Sequence, residues 1–178
     1  RFAAQIRCGK RFNQRFPRKW EITALLTKPK NGWSDFQLDH TSVYGLSYLD
    51  DIAFEWIDQA IHGLETMMPF CVKGFLEPDR FLCLVSYWNC HIVCEDDERS
   101  PLAPEDITNE YSHTSMLQFC EYLYADVSEN VEEWSQFVDY GDNTDFCSKK
   151  KLLTEKLEKL EELINKRREW FGEDRCFL

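Results

Sequence analysis

The chain has 178 residues, a length that suits one ordinary domain and is short for two. With 43% hydrophobic and 15% aromatic residues it has too much apolar surface for an intrinsically disordered chain. A formal net charge of −11 disfavours nucleic acid and acidic membranes as partners.

That charge is unevenly spread. Residues 1–20 hold Arg1, Arg7, Lys10, Arg11, Arg15, Arg18 and Lys19 and no acid, which leaves 14 bases against 32 acids, a balance of −18, over residues 21–178. The basic segment 1–19 lacks the apolar core of a secretory signal, and Phe2, Ala4, Ile6 and Cys8 alternate within it. It is expected as an ordered arm or strand rather than a transit peptide. No apolar run approaches the ~20 residues of a membrane span, so a soluble protein is expected, and the reduced state read below for its cysteines makes the cytoplasm its expected place. The eight cysteines, Cys8, Cys71, Cys83, Cys90, Cys94, Cys120, Cys147 and Cys176, lie in apolar, periodic segments rather than Gly-rich loops. They read as reduced thiols that pack as small hydrophobes.

In chain order, Trp20–Thr27 alternates as a strand with Ile22, Ala24 and Leu26 on one face, and Lys28-Pro29-Lys30-Asn31-Gly32 ends it. Trp33–Leu38 reads as a second short strand. Residues 48–65 predict a helix, because Leu49, Ile52, Ala53, Trp56, Ile57, Ala60, Ile61 and Leu64 follow helical spacing. Ser47 with Asp50 three residues on suggests its capping box. Strands follow at about 70–76, 80–88 and 90–95, joined by Glu77-Pro78-Asp79 and by a bend at Trp88-Asn89. Connections this short require antiparallel pairing. Residues 96–112, rich in Asp, Glu, Ser and Pro, read as an acidic loop.

From Thr114 a helix is expected to run to about 140, with Met116, Cys120, Leu123, Val127, Val131, Trp134 and Val138 as its apolar stripe and Gly141-Asp142-Asn143 as its stop. A last helix starts at Ser148 and is lined by Leu153, Leu157, Leu160, Ile164 and Phe171, with Glu155-Lys159 and Glu162-Lys166 as pairs along its exposed side. The fold class is therefore α+β. One domain over 1–178 is expected to hold a sheet region with its helix at 20–95, the acidic loop at 96–112 and an antiparallel helical hairpin at 114–170. Its core should bury Trp56, Ile57 and Val85 against an antiparallel sheet of four to five strands.

Catalytic and metal chemistry find little support. Cys83, Cys90, His91 and Cys94 have zinc-binding letters, but along a strand Cys90 and Cys94 stand about 13 Å apart at ~3.3 Å per residue. His91 points to the opposite face, and zinc needs its ligands about 2.0–2.3 Å from one point. The other histidines, His40, His62 and His113, carry no nucleophile-elbow or other local signature. The seven glycines form no phosphate-cradling loop. No cofactor is implied.

The strongest signal is charge. Residues 100–148 contain no Lys or Arg, yet carry eleven carboxylates: Glu105, Asp106, Glu110, Glu121, Asp126, Glu129, Glu132, Glu133, Asp139, Asp142 and Asp145. Glu95, Asp96, Asp97 and Glu98 stand just before them, and Tyr122, Trp134 and Tyr140 lie among them. Ordinary amphipathic faces mix signs, whereas an uncompensated field costs self-repulsion and attracts a basic protein. The expected partner surface comprises Glu95, Asp96, Asp97, Glu98, Glu121, Tyr122, Asp126, Glu129, Glu132, Glu133, Trp134, Asp139 and Tyr140.

The segment Gln118–Trp134, with Glu121, Asp126, Glu129, Glu132 and Glu133 around Tyr122 and Trp134, resembles the acidic, Trp-bearing helices of bacterial toxin immunity proteins. The resemblance extends in style over roughly residues 20–170, without a diagnostic motif, and the basic arm departs from it. It implies a cytosolic α+β protein that neutralises a cognate toxin domain, for instance a nuclease, by covering its active site or substrate surface. Two alternatives from other classes are a nucleic-acid-mimic or anti-defence inhibitor, and an enzyme whose site is assembled only in space.

Overall fold

A computed structural model describes residues 25–95, 103, 107–138 and 146–171. The basic arm 1–19, the acids Asp96, Asp97 and Glu98, and the helix stop at Gly141-Asp142-Asn143 lie outside the described residues.

Strand β1 (Trp33–Phe36) pairs antiparallel with β2 (Tyr44–Ser47). On its other side β1 meets the end of the expected first strand, through a Leu26–Phe36 bridge and through Thr27 N–H to Asp35 O and Gln37 N–H to Leu25 O. Asn31 (φ 53°) and Gly32 (φ 80°) make the two-residue link between Lys30 and Trp33, where paired positive φ matches the twist of the flanking strands.

Helix α1 (Ile52–Thr66) begins later than its apolar periodicity implies. Ser47 and Asp50 form no capping box; Ser47 is buried in β2, and Asp51 is the N-cap. Leu49, the first residue of the expected stripe, is exposed, whereas Ile52, Ala53, Trp56, Ile57, Ala60, Ile61 and Leu64 are buried. The unexpected strand β2, with Tyr44, Leu46 and Ser47 buried, ends just before the expected helix start, and Leu49 falls in the link between the two rather than in the helix.

Strands β3 (Phe70–Phe75), β4 (Arg80–Val85), β5 (Cys90–Glu95) and β6 (Thr108–Ser112) form an antiparallel meander in that order. The first three start where the alternation places them, but β4 stops at Val85 rather than 88, because Ser86–Asn89 form the turn into β5. β6 is a correction, since its residues were expected within the loop 96–112. Its inward residues Thr108, Glu110 and Ser112 are all polar, so it shows no hydrophobic alternation.

The meander buries one face. Phe70, Val72, Phe81, Cys83, Val85, Cys90, Ile92 and Cys94 point into the core, and rows such as Cys71–Leu84–His91–Tyr111 cross the other. Trp56 of α1 closes the β3 edge by donating its indole N–H to the Lys73 carbonyl at 2.7 Å. Phe36, Trp56 and Phe81 lock the small and large sheets together, with ring centroids 5.6 Å apart for Phe36–Trp56 and 4.8 Å for Phe36–Phe81. Each such pair contributes about 0.5–1.5 kcal/mol beyond simple burial.

Helix α2 (Met116–Glu129) has a full capping box between Ser115 and Gln118. It does not run on to 140. The chain breaks at Asn130 and restarts as α3 (Val131–Ser135). Helix α4 (Phe146–Phe171) buries Leu153, Leu157, Leu160, Leu163 and Ile164. Ion pairs Glu121–Arg168 and Glu132–Lys150 set α4 antiparallel to α2 and α3, as a hairpin requires. Pairs Asp58–Lys156 and Glu65–Lys159 set α4 parallel to α1 as well. Lys159 therefore reaches across to α1 rather than along α4 to Glu155. Trp56, Ile57 and Val85 are all fully buried, in one apolar cluster to which both sheets and all four helices contribute.

Candidate functional site

Helices α2 and α3 carry the described acids of the acid-rich stretch other than Glu110 of β6, and neither helix contains a Lys or Arg. The apolar sides of both helices face the core, which leaves their carboxylates on or near the surface. Folding then supplies bases from distant segments. Arg168 donates through Nε to Glu121 Oε1 at 2.8 Å, and its other arm reaches Asn165 at 2.9 Å. Lys28 stands 2.6 Å from Glu133 and holds that carboxyl below its usual range, and Lys150 pairs with Glu132. Glu129 is exposed at the end of α2.

Asp126 plays a different part. Its Oδ2 accepts the Leu25 and Leu26 N–H groups, fastening the start of the described chain to α2. Burial pushes its carboxyl above the usual value, against the two N–H donors. Trp134, expected within the partner surface, is 1% exposed and packs on Phe137 with ring centroids 5.1 Å apart. As a member of the apolar stripe this ring enters the core, which removes it as an interface anchor. Tyr122 is half-buried against the core, and burial with nearby Asp39 and Glu121 raises its hydroxyl above the usual range. Glu95 ends β5 and is half-buried. Asp96, Asp97, Glu98, Asp139 and Tyr140 lie outside the described residues.

A second polar cluster joins the β1–β2 link to β6. Asp39 adopts a positive φ of 44°, and its Oδ2 accepts the Ser112 and Thr114 hydroxyls. Glu110 accepts the Ser42 N–H at 2.8 Å and its hydroxyl at 2.7 Å, which lowers its carboxyl. Ser112 is 3% exposed, so its hydroxyl serves to hold this link rather than to face a substrate.

Cys83, Cys90 and Cys94 point inward on the sheet, whereas His91 lies in the outward row. Among the described residues no three His, Cys, Asp or Glu side chains converge on one point. Burial, aided by Asp79 and Glu110, pushes the Cys94 thiol up to about 12, so it is protonated at neutral pH. A polar hollow of about 70 Å³ lies between α2 and α4 at Glu121, Tyr124, Glu161 and Arg168. An apolar one of about 310 Å³ is lined by Met67, Tyr87, Trp88, Trp170 and Phe171. Neither contains a His or Cys.

Sequence reasoning missed the aromatic platform on the outer sheet face. Tyr111 is 69% exposed, and its ring stacks on His91 with centroids 4.3 Å apart and planes within 3°. His91 Nε2 in turn hydrogen-bonds Asn109. The Thr-Asn-Glu-Tyr-Ser letters of β6 are individually compatible with a strand, but only pairing with β5 reveals the stack.

Comparisons with protein-family models, with curated proteins and with solved structures find no match. Among the described residues no helix is long and apolar enough to cross a membrane.

Proposed function

We propose that this chain is an acidic binding protein that neutralises a basic protein partner, in the manner of a bacterial immunity protein blocking a toxin domain in the cytoplasm. The observation that carries the reading is the acid-rich α2–α3 surface, on which Glu121, Glu129, Glu132 and Glu133 lie along two helices that carry no Lys or Arg of their own. Its internal pairs do not close it to a partner. Lys28 and Glu133 have side-chain exposures of 60% and 36%, and Lys150 and Glu132 of 41% and 67%. Exposed pairs of this kind are worth about 0–1 kcal/mol, so a partner's guanidinium forks can take over the carboxylates at small cost. The lysines then act as placeholders that limit self-repulsion in the free protein.

Electrostatic attraction of this sort speeds encounter, whereas the lifetime of a complex depends on desolvated anchors. With Trp134 buried, anchoring falls to exposed aromatics such as Tyr111. Co-purification from the native host at low salt, with identification of the bound protein, tests the reading. A basic partner released by rising salt is the expected result. An acidic partner, or one held unchanged through high salt, would overturn it.

A further inference from the structure

The large sheet has two edges, and the fold treats them differently. At β3, α1 packs along the strand and the Trp56 indole takes the Lys73 carbonyl. At β6, no backbone hydrogen bond joins Thr108–Ser112 to a described residue outside β5. Exposed edges are ordinarily guarded by Lys, Pro, a bulge or very short length. β6 runs for five residues with no Lys or Pro, in unbroken register with β5 from Cys90–Ser112 to Cys94–Thr108.

Shape selects what this edge can receive, and no cation on the two strands nearest it opposes a basic segment. β5 and β6 carry no Lys or Arg; Glu95 stands opposite Arg80 of β4, and Glu110 is turned inward to Ser42. Tyr111 stands on the edge strand itself. One face of its ring rests on His91, which belongs to β5, so the other face is turned toward the place of a strand beyond β6. The His91–Asn109 hydrogen bond holds this stack before any partner arrives, which lowers the ordering cost of binding. A residue opposite Tyr111 on an added strand has its Cβ about 4.5–5.5 Å away, close enough for a long cationic side chain to lie on the open ring face.

We infer that the β6 edge takes up an extended, arginine- or lysine-bearing segment of the partner as a fifth strand, with one cation seated on the free face of Tyr111. The inference rests on the acidic-binder reading and gives it a docking mode: main-chain pairing supplies affinity, and the Tyr111 platform supplies register.

A short peptide alternating Arg and Thr serves as the probe for the whole chain, read by amide exchange and by the ring resonances of Tyr111. The expected result is slowed exchange at β6, a shifted Tyr111 ring, and at least about ten-fold weaker binding by the same peptide N-methylated along one edge. Tyr111→Ala should weaken binding about five-fold, whereas Tyr111→Phe, which keeps the ring face, should preserve it. An Arg-Thr peptide that protects only α2 and α3 overturns the edge assignment and leaves the acidic surface standing. A peptide that binds nowhere overturns both. Equal binding by a Glu-Thr peptide, or β6 protection that grows with protein concentration in the absence of peptide, gives the edge to an acidic segment or to a second copy and sinks the inference.

Discussion

Asp126 on α2 receives the backbone N–H of Leu25 at 2.7 Å, a residue 101 positions earlier in the chain. The same oxygen receives the N–H of Leu26 at 2.9 Å, so one carboxylate satisfies two amides beside fully or nearly fully buried side chains. A residue that reads in sequence as one more surface acid is thereby a fastener of the fold. Asp126→Ala would leave both N–H groups without an acceptor, at about 1–3 kcal/mol for each one that water cannot reach. Asp126→Asn keeps a carbonyl acceptor and removes the buried charge, so it should cost distinctly less. Urea unfolding of the two variants checks the order, and equal losses would show that charge rather than acceptance matters at this position.

Asp51, the N-cap of α1, shows the opposite balance. One of its oxygens is buried without a hydrogen-bond partner among the described residues, and burial raises its carboxyl above the usual value despite the influence of Lys149. A folded-state pKa above the unfolded one means that the folded protein disfavours the ionised form. The contribution to stability is therefore best at pH below the unfolded value, and declines as pH rises through the raised folded value. Asp51→Asn keeps a good N-cap side chain and cannot ionise. It should be more stable than the wild type at pH 7, with the gap closing toward pH 3. Thermal melts across that range test the sign, and a gap that widens in acid would refute it.

Gly63 lies in α1, where replacement by Ala would ordinarily gain about 1 kcal/mol of helix propensity. Here a Cβ would meet Phe70 Cδ1 at 2.2 Å. The Phe70 ring is 4% exposed and lies 5.9 Å from that of Phe119, so it has little room to withdraw. Overpacking of this kind costs about 1–3 kcal/mol and should outweigh the propensity gain. Gly63→Ala is expected to lower the denaturation midpoint; a raised midpoint would show that the β3–α1 contact can open.

Trp134 provides a fourth test. At 1% exposure, its truncation to Ala should cost about 3–5 kcal/mol. Among the described residues its indole N–H has no partner, so Trp134→Phe removes an unsatisfied donor along with some volume. That change should cost less than half as much. A loss below about 1 kcal/mol for the Ala variant would place the ring at the surface.

What the sequence displays depends on whether a signal is carried by apolar spacing. Trp56, Ile57 and Leu64 announce α1, and Phe81, Cys83 and Val85 announce β4, because each face they define is buried. β6 is silent, because the residues it turns inward are Thr108, Glu110 and Ser112, the last two held by Ser42 and Asp39, more than 60 residues away. The Asn130 break is hidden for a related reason: Val131 and Trp134 continue the three- and four-residue spacing across the turn, so the stripe looks unbroken. The candidate site was legible as charge along the chain, since no base falls in residues 100–148. Its compensation was not, because Lys28, Lys150 and Arg168 come from segments that only the tertiary fold brings to Glu133, Glu132 and Glu121.

The acidic surface makes a kinetic prediction. Reversing Glu129, Glu132 and Glu133 to Lys changes the local charge by six units while touching no buried side chain. Lys28 and Lys150 then lose their partners and face new lysines, but exposed pairs contribute only about 0–1 kcal/mol each, so the fold should persist. Association with a basic partner should slow and lose much of its dependence on ionic strength, since steering toward rates of ~10⁸–10⁹ M⁻¹s⁻¹ requires the opposed fields. Dissociation should change less, because anchors rather than rim charges set it. Association rates of the wild type and the triple variant at two salt concentrations, with circular dichroism as a check on folding, decide the matter. Identical rates and salt slopes would take α2 and α3 out of the interface and leave the β6 edge as the surface to pursue.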